Sequence, residues 1–209
     1  GLIPCGSGNG LGRHLGISRP GHGAFRTLLE GRPRAIDTGT VNDFAFFNAM
    51  GLGFEADIAV RFSRLTRRGL SGYFRVGVPS FFSHQPEAVT VHHPHGTAQL
   101  QAFTLAVMNS DQYGNDARVA PGAKIDDGMF DLVSVPRVGL FSACGMLYRL
   151  GTDSFDQVKA VTRLPGANFV IERTKPGWIH TDGEPRATTA RLEIALKPRS
   201  LRIMVPATS

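Results

Sequence analysis

Cysteine is nearly missing: Cys5 and Cys144 are the only two in 209 residues. Two cannot make a disulfide scaffold, and a reducing compartment is the simplest setting. Tryptophan occurs once, and charged residues make up only 19% with no long run of one sign, so a charge-driven disordered chain is excluded. No apolar run approaches the ~20 residues needed to cross a bilayer, and no stretch resembles a secretory signal. Zinc-finger spacing, an RNA-binding aromatic signature and a concentrated basic tract are all missing, which argues against nucleic acid as a partner. The net charge of +6 still suits an anionic partner such as nucleotide phosphate or anionic lipid.

What the chain does have is a core-forming composition, 42% hydrophobic, punctuated by 25 glycines and 13 prolines. That punctuation favours short strands over a helix bundle. The length allows one large domain or two small ones. A helix over Gly23 to Glu30 ends at Gly31, and from Arg34 the texture turns strand-like, so a domain boundary is placed between residues 33 and 34. Strands are predicted at Arg34 to Val41, Phe44 to Met50, Ala88 to His93, Ala98 to Asn109, Met129 to Val135, Asn168 to Thr174, Gly177 to Asp182, Ala190 to Leu196 and Leu201 to Val205. Glu55 to Arg68 and Leu140 to Leu150 read as helices. In the first, Ile58, Phe62 and Leu65 form a stripe, while Arg61, Arg64, Arg67 and Arg68 lie largely away from it. Such a helix either rests one face on a core or lies on an anionic membrane.

Four stretches carry candidate chemistry. Gly6-Ser7-Gly8-Asn9-Gly10 stands between the apolar run Leu2 to Cys5 and a segment with Leu11, Leu15 and Ile17 at helical spacing. It reads as strand, tight loop, helix, suited to phosphate or simply to a turn. His92, His93 and His95 invite a metal reading, although Pro94 and Gly96 also make an exposed turn. Asp126, Asp127 and Asp131 offer oxygen ligands for Mg²⁺ or Ca²⁺, and Asp-Asp-Gly equally suits a hairpin. Finally, in His180-Thr181-Asp182-Gly183-Glu184-Pro185, an extended strand puts Asp182 and Glu184 on one side about 7 Å apart. Two such carboxylates can divide the work of base and orienting group; the plain alternative is a polar turn stopped by proline.

Taken in order, these segments resemble the diacylglycerol/sphingosine-type lipid kinase family, its bacterial members above all. The matching stretches are Ile3 to Leu11, Ile36 to Gly39, Phe47 to Ala56, Met108-Asn109, Ala120 to Leu132 and Thr181 to Glu184. The wording Ser7-Gly8-Asn9-Gly10-Leu11 leans toward the sphingosine-kinase side. The resemblance implies an α+β protein: a β-sandwich-like C-terminal domain with a few helices (34–209), preceded by the strand-loop-helix remnant of an α/β nucleotide-binding domain (1–33). The last strand is expected to return to the first domain. It further implies transfer of the ATP γ-phosphoryl group to a lipid alcohol, diacylglycerol or a sphingoid base. Gly6, Ser7, Gly8 and Asn9 would line the nucleotide site, and Asp182 or Glu184 would be the general base. Lys124, Asp127 and Met129 would hold a structural Mg²⁺, through one side chain and two carbonyls.

By the same resemblance the protein is cytoplasmic, touches the inner membrane surface peripherally, and is compatible with a homodimer. One departure is large: the family's Gly-Gly-Asp-Gly-Thr nucleotide loop does not occur, so the 209 residues are expected to be an incomplete chain and a poor kinase alone. A non-catalytic lipid- or protein-binding sandwich is the rival reading. An NAD kinase-like enzyme shares the architecture, but Asp182-Gly183-Glu184 argues against it.

Overall fold

Alternation of large and small side chains assigns the faces of the strands. In Ala49–Gly53 (β3), Met50 and Leu52 enter the main core, while Ala49 joins a second cluster on the opposite side. The computed structural model describes residues 1–6, 8–17, 21–63 and 70–207, except the side chains of 62 and 70–76. Among them, twelve strands build two six-stranded antiparallel sheets.

The first sheet runs, in spatial order, Phe44–Phe46 (β2), Arg32–Val41 (β1), Arg191–Val205 (β14), Asn168–Arg173 (β11), Glu87–His93 (β4) and Gly96–Ala102 (β5). The second runs Thr162–Gly166 (β10), Phe130–Val135 (β9), Thr104–Met108 (β6), β3, Gly177–Thr181 (β12) and Glu184–Thr188 (β13). Val41, Val91, Phe169, Ile171 and Leu192 from the first interleave with Leu105, Val107, Leu132 and Ile179 from the second, all buried. Phe46 and Phe130 meet across the gap at 5.2 Å. Each fully buried side chain of this size stabilises by about 1.5–3 kcal/mol, so this interior holds the fold.

Around the sandwich lie Gly10–His14 (α1), His22–Glu30 (α2), Phe54–Ser63 (α3), Leu70–Ser83 (α4), the small hairpin Gln112–Gly114 (β7) with Ala117–Arg118 (β8), and Leu140–Gly151 (α5). Met146 of α5 packs on the outer face of the second sheet with Ala106 and Val133. Leu15 and Ile17 pack with Ile36, Ile125, Ile203 and Val205 at one end.

Several expected elements are redrawn. Leu2 to Cys5 carries no strand, because no neighbouring strand among the described residues pairs with it. The run 98–109 divides at Phe103, where the chain leaves the first sheet for the second. The two final strands are one, β14, which spans 197–200 with Arg199 at φ 46. β10 and β13 were not expected, since Pro165 and Pro185 argue against strands; both lie at sheet edges, where a missing N–H is tolerated. Arg64, Arg67 and Arg68 of the expected basic helix lie outside the described residues.

Candidate active site

Asp182-Gly183 is a two-residue turn joining β12 to β13, with φ of 51° and 88°. Both values are positive, as a type I′ hairpin requires, and an Asp-Gly pair adopts them readily. The extended geometry expected for Asp182 to Glu184 is therefore corrected: Glu184 pairs back across from Thr181. The turn gives the two carboxylates different surroundings. Asp182 accepts from the backbone N–H of Phe47 (2.8 Å), Asn48 (2.8 Å) and Ala49 (3.0 Å), and its own N–H donates to the Ala49 carbonyl. It clamps the hairpin onto the start of β3. Glu184, by contrast, is 72% exposed and touches only Arg186, at 2.6 Å, among the contacts of the described residues.

The glycine loop is sewn to the β7–β8 hairpin. Asn9 takes the left-handed conformation (φ 54°), donates to the Gly6 carbonyl at 2.6 Å, and bridges Gly114. Gly10 lies so close that a Cβ would stand 2.5 Å from the Tyr113 carbonyl oxygen and 2.8 Å from Asn48 Nδ2, which only glycine permits. Arg13 pairs with Asp116 at 3.0 Å, and His14 Nδ1 lies 2.7 Å from Asp111 Oδ1. Burial alone would raise the Asp111 pKa; the His14 bond and charge, with Arg118, outweigh it and hold the carboxyl below its usual range. His14 is thus a largely buried anchor of the loop.

These parts share one cleft of about 1290 Å³. Gly6, Gly8 and Asn9 line it together with Asp182 and Glu184. Ser7 lies outside the described residues. The floor is made by outward-facing small residues of the second sheet, Ala49 and Ala106, and its apolar wall by Phe54, Ile58, Val133, Leu150 and Phe155.

The acidic cluster separates into individual roles. Asp126 pairs with Arg34 at 2.9 Å, and Asp131 receives both Nε and Nη2 of Arg163 at 2.7 and 2.8 Å. That leaves Asp127 exposed, with Oδ1 accepting the Met129 N–H at 3.1 Å. Lys124, Asp127 and Met129 lie on one loop outside the cleft lining. No group of three or more His, Cys, Asp or Glu able to hold a metal occurs among the described residues. His93 and His95 flank the Pro94 turn with rings 6.1 Å apart.

Two buried residues that local patterns gave no role join loop and cleft. Asp37, fully buried in a bulge of β1, accepts from the N–H of Gly128 (2.8 Å) and Arg199 (2.6 Å). Asn109 Nδ2 donates to the carbonyls of both Asp37 and Phe47, and the Phe47 N–H in turn reaches Asp182. Both residues fall inside the stretches that carried the family resemblance; spacing alone gave no partner for either.

Two facing antiparallel sheets with small helices outside make a β-sandwich, and one cleft on it brings the glycine loop and the Asp182-Gly183 turn together. Residues 48–205 match the profile of the YegS C-terminal NAD kinase beta sandwich-like domain, and residues 1–41 match the diacylglycerol kinase catalytic domain. A protein of Chromohalobacter salexigens named "Probable lipid kinase YegS-like" is 31% identical over 218 residues, covering 99% of this chain and 67% of the relative. A Bacillus subtilis diacylglycerol kinase is 30% identical over 143 residues, covering 67% and 47%. A solved diacylglycerol kinase structure from Bacillus anthracis superposes with a TM-score of 0.70 at 16% identity, covering 99% of this chain and 66% of that one. The chain belongs to the YegS-like lipid kinase family, and it spans about two thirds of the length of the first of these relatives.

Proposed function

We propose that the chain supplies one side of an active site that transfers the γ-phosphoryl group of ATP to the hydroxyl of a lipid alcohol, a diacylglycerol or a sphingoid base. The observation that carries this reading is the common cleft of Gly6, Gly8, Asn9, Asp182 and Glu184. Glycine-loop N–H groups suit the phosphates of the nucleotide. Three N–H donors occupy Asp182, so its part is to hold the turn. Glu184, open to the cleft, takes the proton as the lipid oxygen attacks the γ-phosphorus and the bond to the departing ADP oxygen breaks.

Residues 1–33 are read as the end of a nucleotide-binding domain and 34–209 as the β-rich domain. The packing of Ile203 and Val205 on Leu15 and Ile17 supports a return of the last strand. The Asp127 carboxylate with the carbonyls of Lys124 and Met129 fits a hard cation completed by water, and Mg²⁺ there would stiffen the loop that Asp37 holds.

A membrane surface at the inner face of the cell membrane fits the same reading. No helix among the described residues is long and apolar enough to cross a membrane. On α5, however, Leu140, Phe141 (94% exposed), Leu147 and Tyr148 form an outward apolar stripe, while Leu150 at its end lines the cleft. Phe141→Asp is expected to lower co-sedimentation with anionic liposomes. Concentration-dependent mass in ultracentrifugation that the same change abolishes would instead make the stripe a homodimer contact.

The test of the activity is radiolabelled phosphate transfer by the full-length protein to diacylglycerol and sphingosine. The 209 residues alone, which lack a Gly-Gly-Asp-Gly-Thr string, are expected to be poorly active. Absence of transfer to any lipid alcohol by the full-length protein, or full activity in Glu184→Gln, overturns the reading.

A further inference from the structure

Glu55 sits in the first turn of α3 and lies over β3 at Gly51, where a Cβ would overlap its Oε1 and come within 2.7 Å of His180 Nε2. His180 is buried on β12, two residues before Asp182. Its Nδ1 accepts the Gly183 N–H at 3.3 Å, so in the neutral ring the proton sits on Nε2, which faces Glu55 Oε2 at 3.5 Å. At that distance the ring faces the carboxylate without a hydrogen bond. The other carboxylate oxygen, Oε1, is buried and has no hydrogen-bond partner among the described residues. The Tyr113 hydroxyl is likewise buried and without one, and the Tyr113 ring lies 6.0 Å from that of His180. Burial first, then the charge of the adjacent Glu55 carboxylate and a hydrogen-bonding contact with it, push the Tyr113 phenol well above its ordinary range, so it keeps its proton and faces that carboxylate.

Glu55, Tyr113 and His180 all line the cleft that holds Asp182 and Glu184. A buried carboxylate oxygen facing a cleft, with the Tyr113 hydroxyl close by but outside hydrogen-bond geometry, is incompletely satisfied, and a ligand N–H or O–H relieves that. The hydrogen bond from Gly183 to His180 ties this cluster to the catalytic turn, which places it beside the reacting hydroxyl. The rest of the cleft wall near it, Phe54, Ile58 and Ala59, is apolar and suits an acyl chain.

We propose that Glu55, with Tyr113 and His180, forms a polar subsite that binds a second hydrogen-bond donor, a hydroxyl or an ammonium, carried by the acceptor lipid next to the hydroxyl that is phosphorylated. The proposal rests on the lipid-kinase reading and narrows its substrate class. Diacylglycerol has no such neighbour; a 1-monoacylglycerol has a hydroxyl there, and sphingosine an ammonium.

The experiment compares kcat/KM of the full-length protein on these three acceptors, in the natural sequence and in Glu55→Ile, Glu55→Gln and Tyr113→Phe. The natural protein is expected to prefer a donor-bearing acceptor over diacylglycerol by ~10-fold or more, and Glu55→Ile to erase that ratio. Glu55→Gln separates the two donors: a ratio retained for monoacylglycerol assigns a hydroxyl, and one lost for sphingosine assigns an ammonium. Equal use of all three acceptors by the natural protein, or an unchanged ratio in Glu55→Ile, overturns the subsite. Tyr113→Phe guards against misfolding of the Glu55 variants, since it removes one oxygen only and is expected to lower the same ratio about 3-fold. If no lipid is phosphorylated, the kinase reading fails separately. Binding of 1,2-octanediol against 1-octanol, followed by NMR, then decides the subsite: tighter diol binding lost in Glu55→Ile supports it, and equal binding overturns it.

Discussion

The two sheets match in strand number and share one interior, yet their outer faces differ completely. Outside the first, Glu172, Arg191 and Glu193 form exposed ion pairs at 2.8 and 2.9 Å, with His92 3.6 Å from Glu172. Such pairs contribute little to stability and enclose nothing. Outside the second, β3 and β6 present Ala49 and Ala106, and the space those small side chains leave opens into the cleft, while Glu55 fills the space over Gly51. Chemistry gathers where a sheet face is both small and covered by helices and a hairpin; a charged, open face has no enclosure to offer.

The sharpest test removes one carboxylate from each face of the full-length protein. Glu184→Gln is expected to lower phosphate transfer by about 10²–10⁴-fold, and Glu193→Gln to change it less than ~2-fold. Comparable losses would erase the distinction between the faces. Next in size is Asp182→Ala, which strips three backbone N–H groups of their acceptor. A loss of about 1–3 kcal/mol in urea unfolding is expected, along with the loss of activity. Glu184→Gln should leave the urea midpoint in place. A smaller pair uses glycines. A Cβ on Gly39 would overlap the Phe46 ring inside the sandwich, so Gly39→Ala is expected to cost about 1–3 kcal/mol. Gly51→Ala pushes first against the ends of Glu55 and His180, and its midpoint shift should be less than half as large while its acceptor preference changes.

The glycine loop and Asp-Gly-Glu were legible in the sequence as compact local motifs, but the single strand expected over Phe44 to Met50 divides into β2 and β3, and β3 runs on to Gly53. Periodicity could not show β10 and β13, because a proline counts against a strand until its place at an edge is known. Nor could it separate Asp126 and Asp131 from Asp127, since the arginines that claim them, Arg34 and Arg163, are 92 and 32 residues away. Glu55, Tyr113 and His180 share no motif. Only the pairing of β12 with β3, and the approach of β7 to α1, bring them to one wall.

The smallest effects come from two half-buried acids, one near each face, whose pH dependence runs in opposite directions. Asp111, beside the cleft, has its pKa held below the ordinary 3.8; its contribution is present above that pH and is lost as pH falls through the folded value. Glu87, at the start of β4, is raised above the ordinary 4.5, burial outweighing Arg173 at 4.0 Å. Its contribution is present below pH 4.5 and is lost as pH rises through the folded value. Arg173 is itself lowered by burial; its Nη1 and Nη2 donate to Trp178, Gly177, Thr188 and Thr189, but its Nε, the atom toward Glu87, has no hydrogen-bond partner among the described residues, so the Glu87 carboxylate is poorly compensated. Urea midpoints between pH 3 and 7 should therefore show Glu87→Gln gaining on the natural protein as pH rises, by about 1 kcal/mol or less. Asp111→Asn should lose on it over the same range. Parallel curves for the two variants would mean that the His14 bond does not outweigh the burial of Asp111, and that the loop anchor is no better compensated than the ion pair on the opposite sheet.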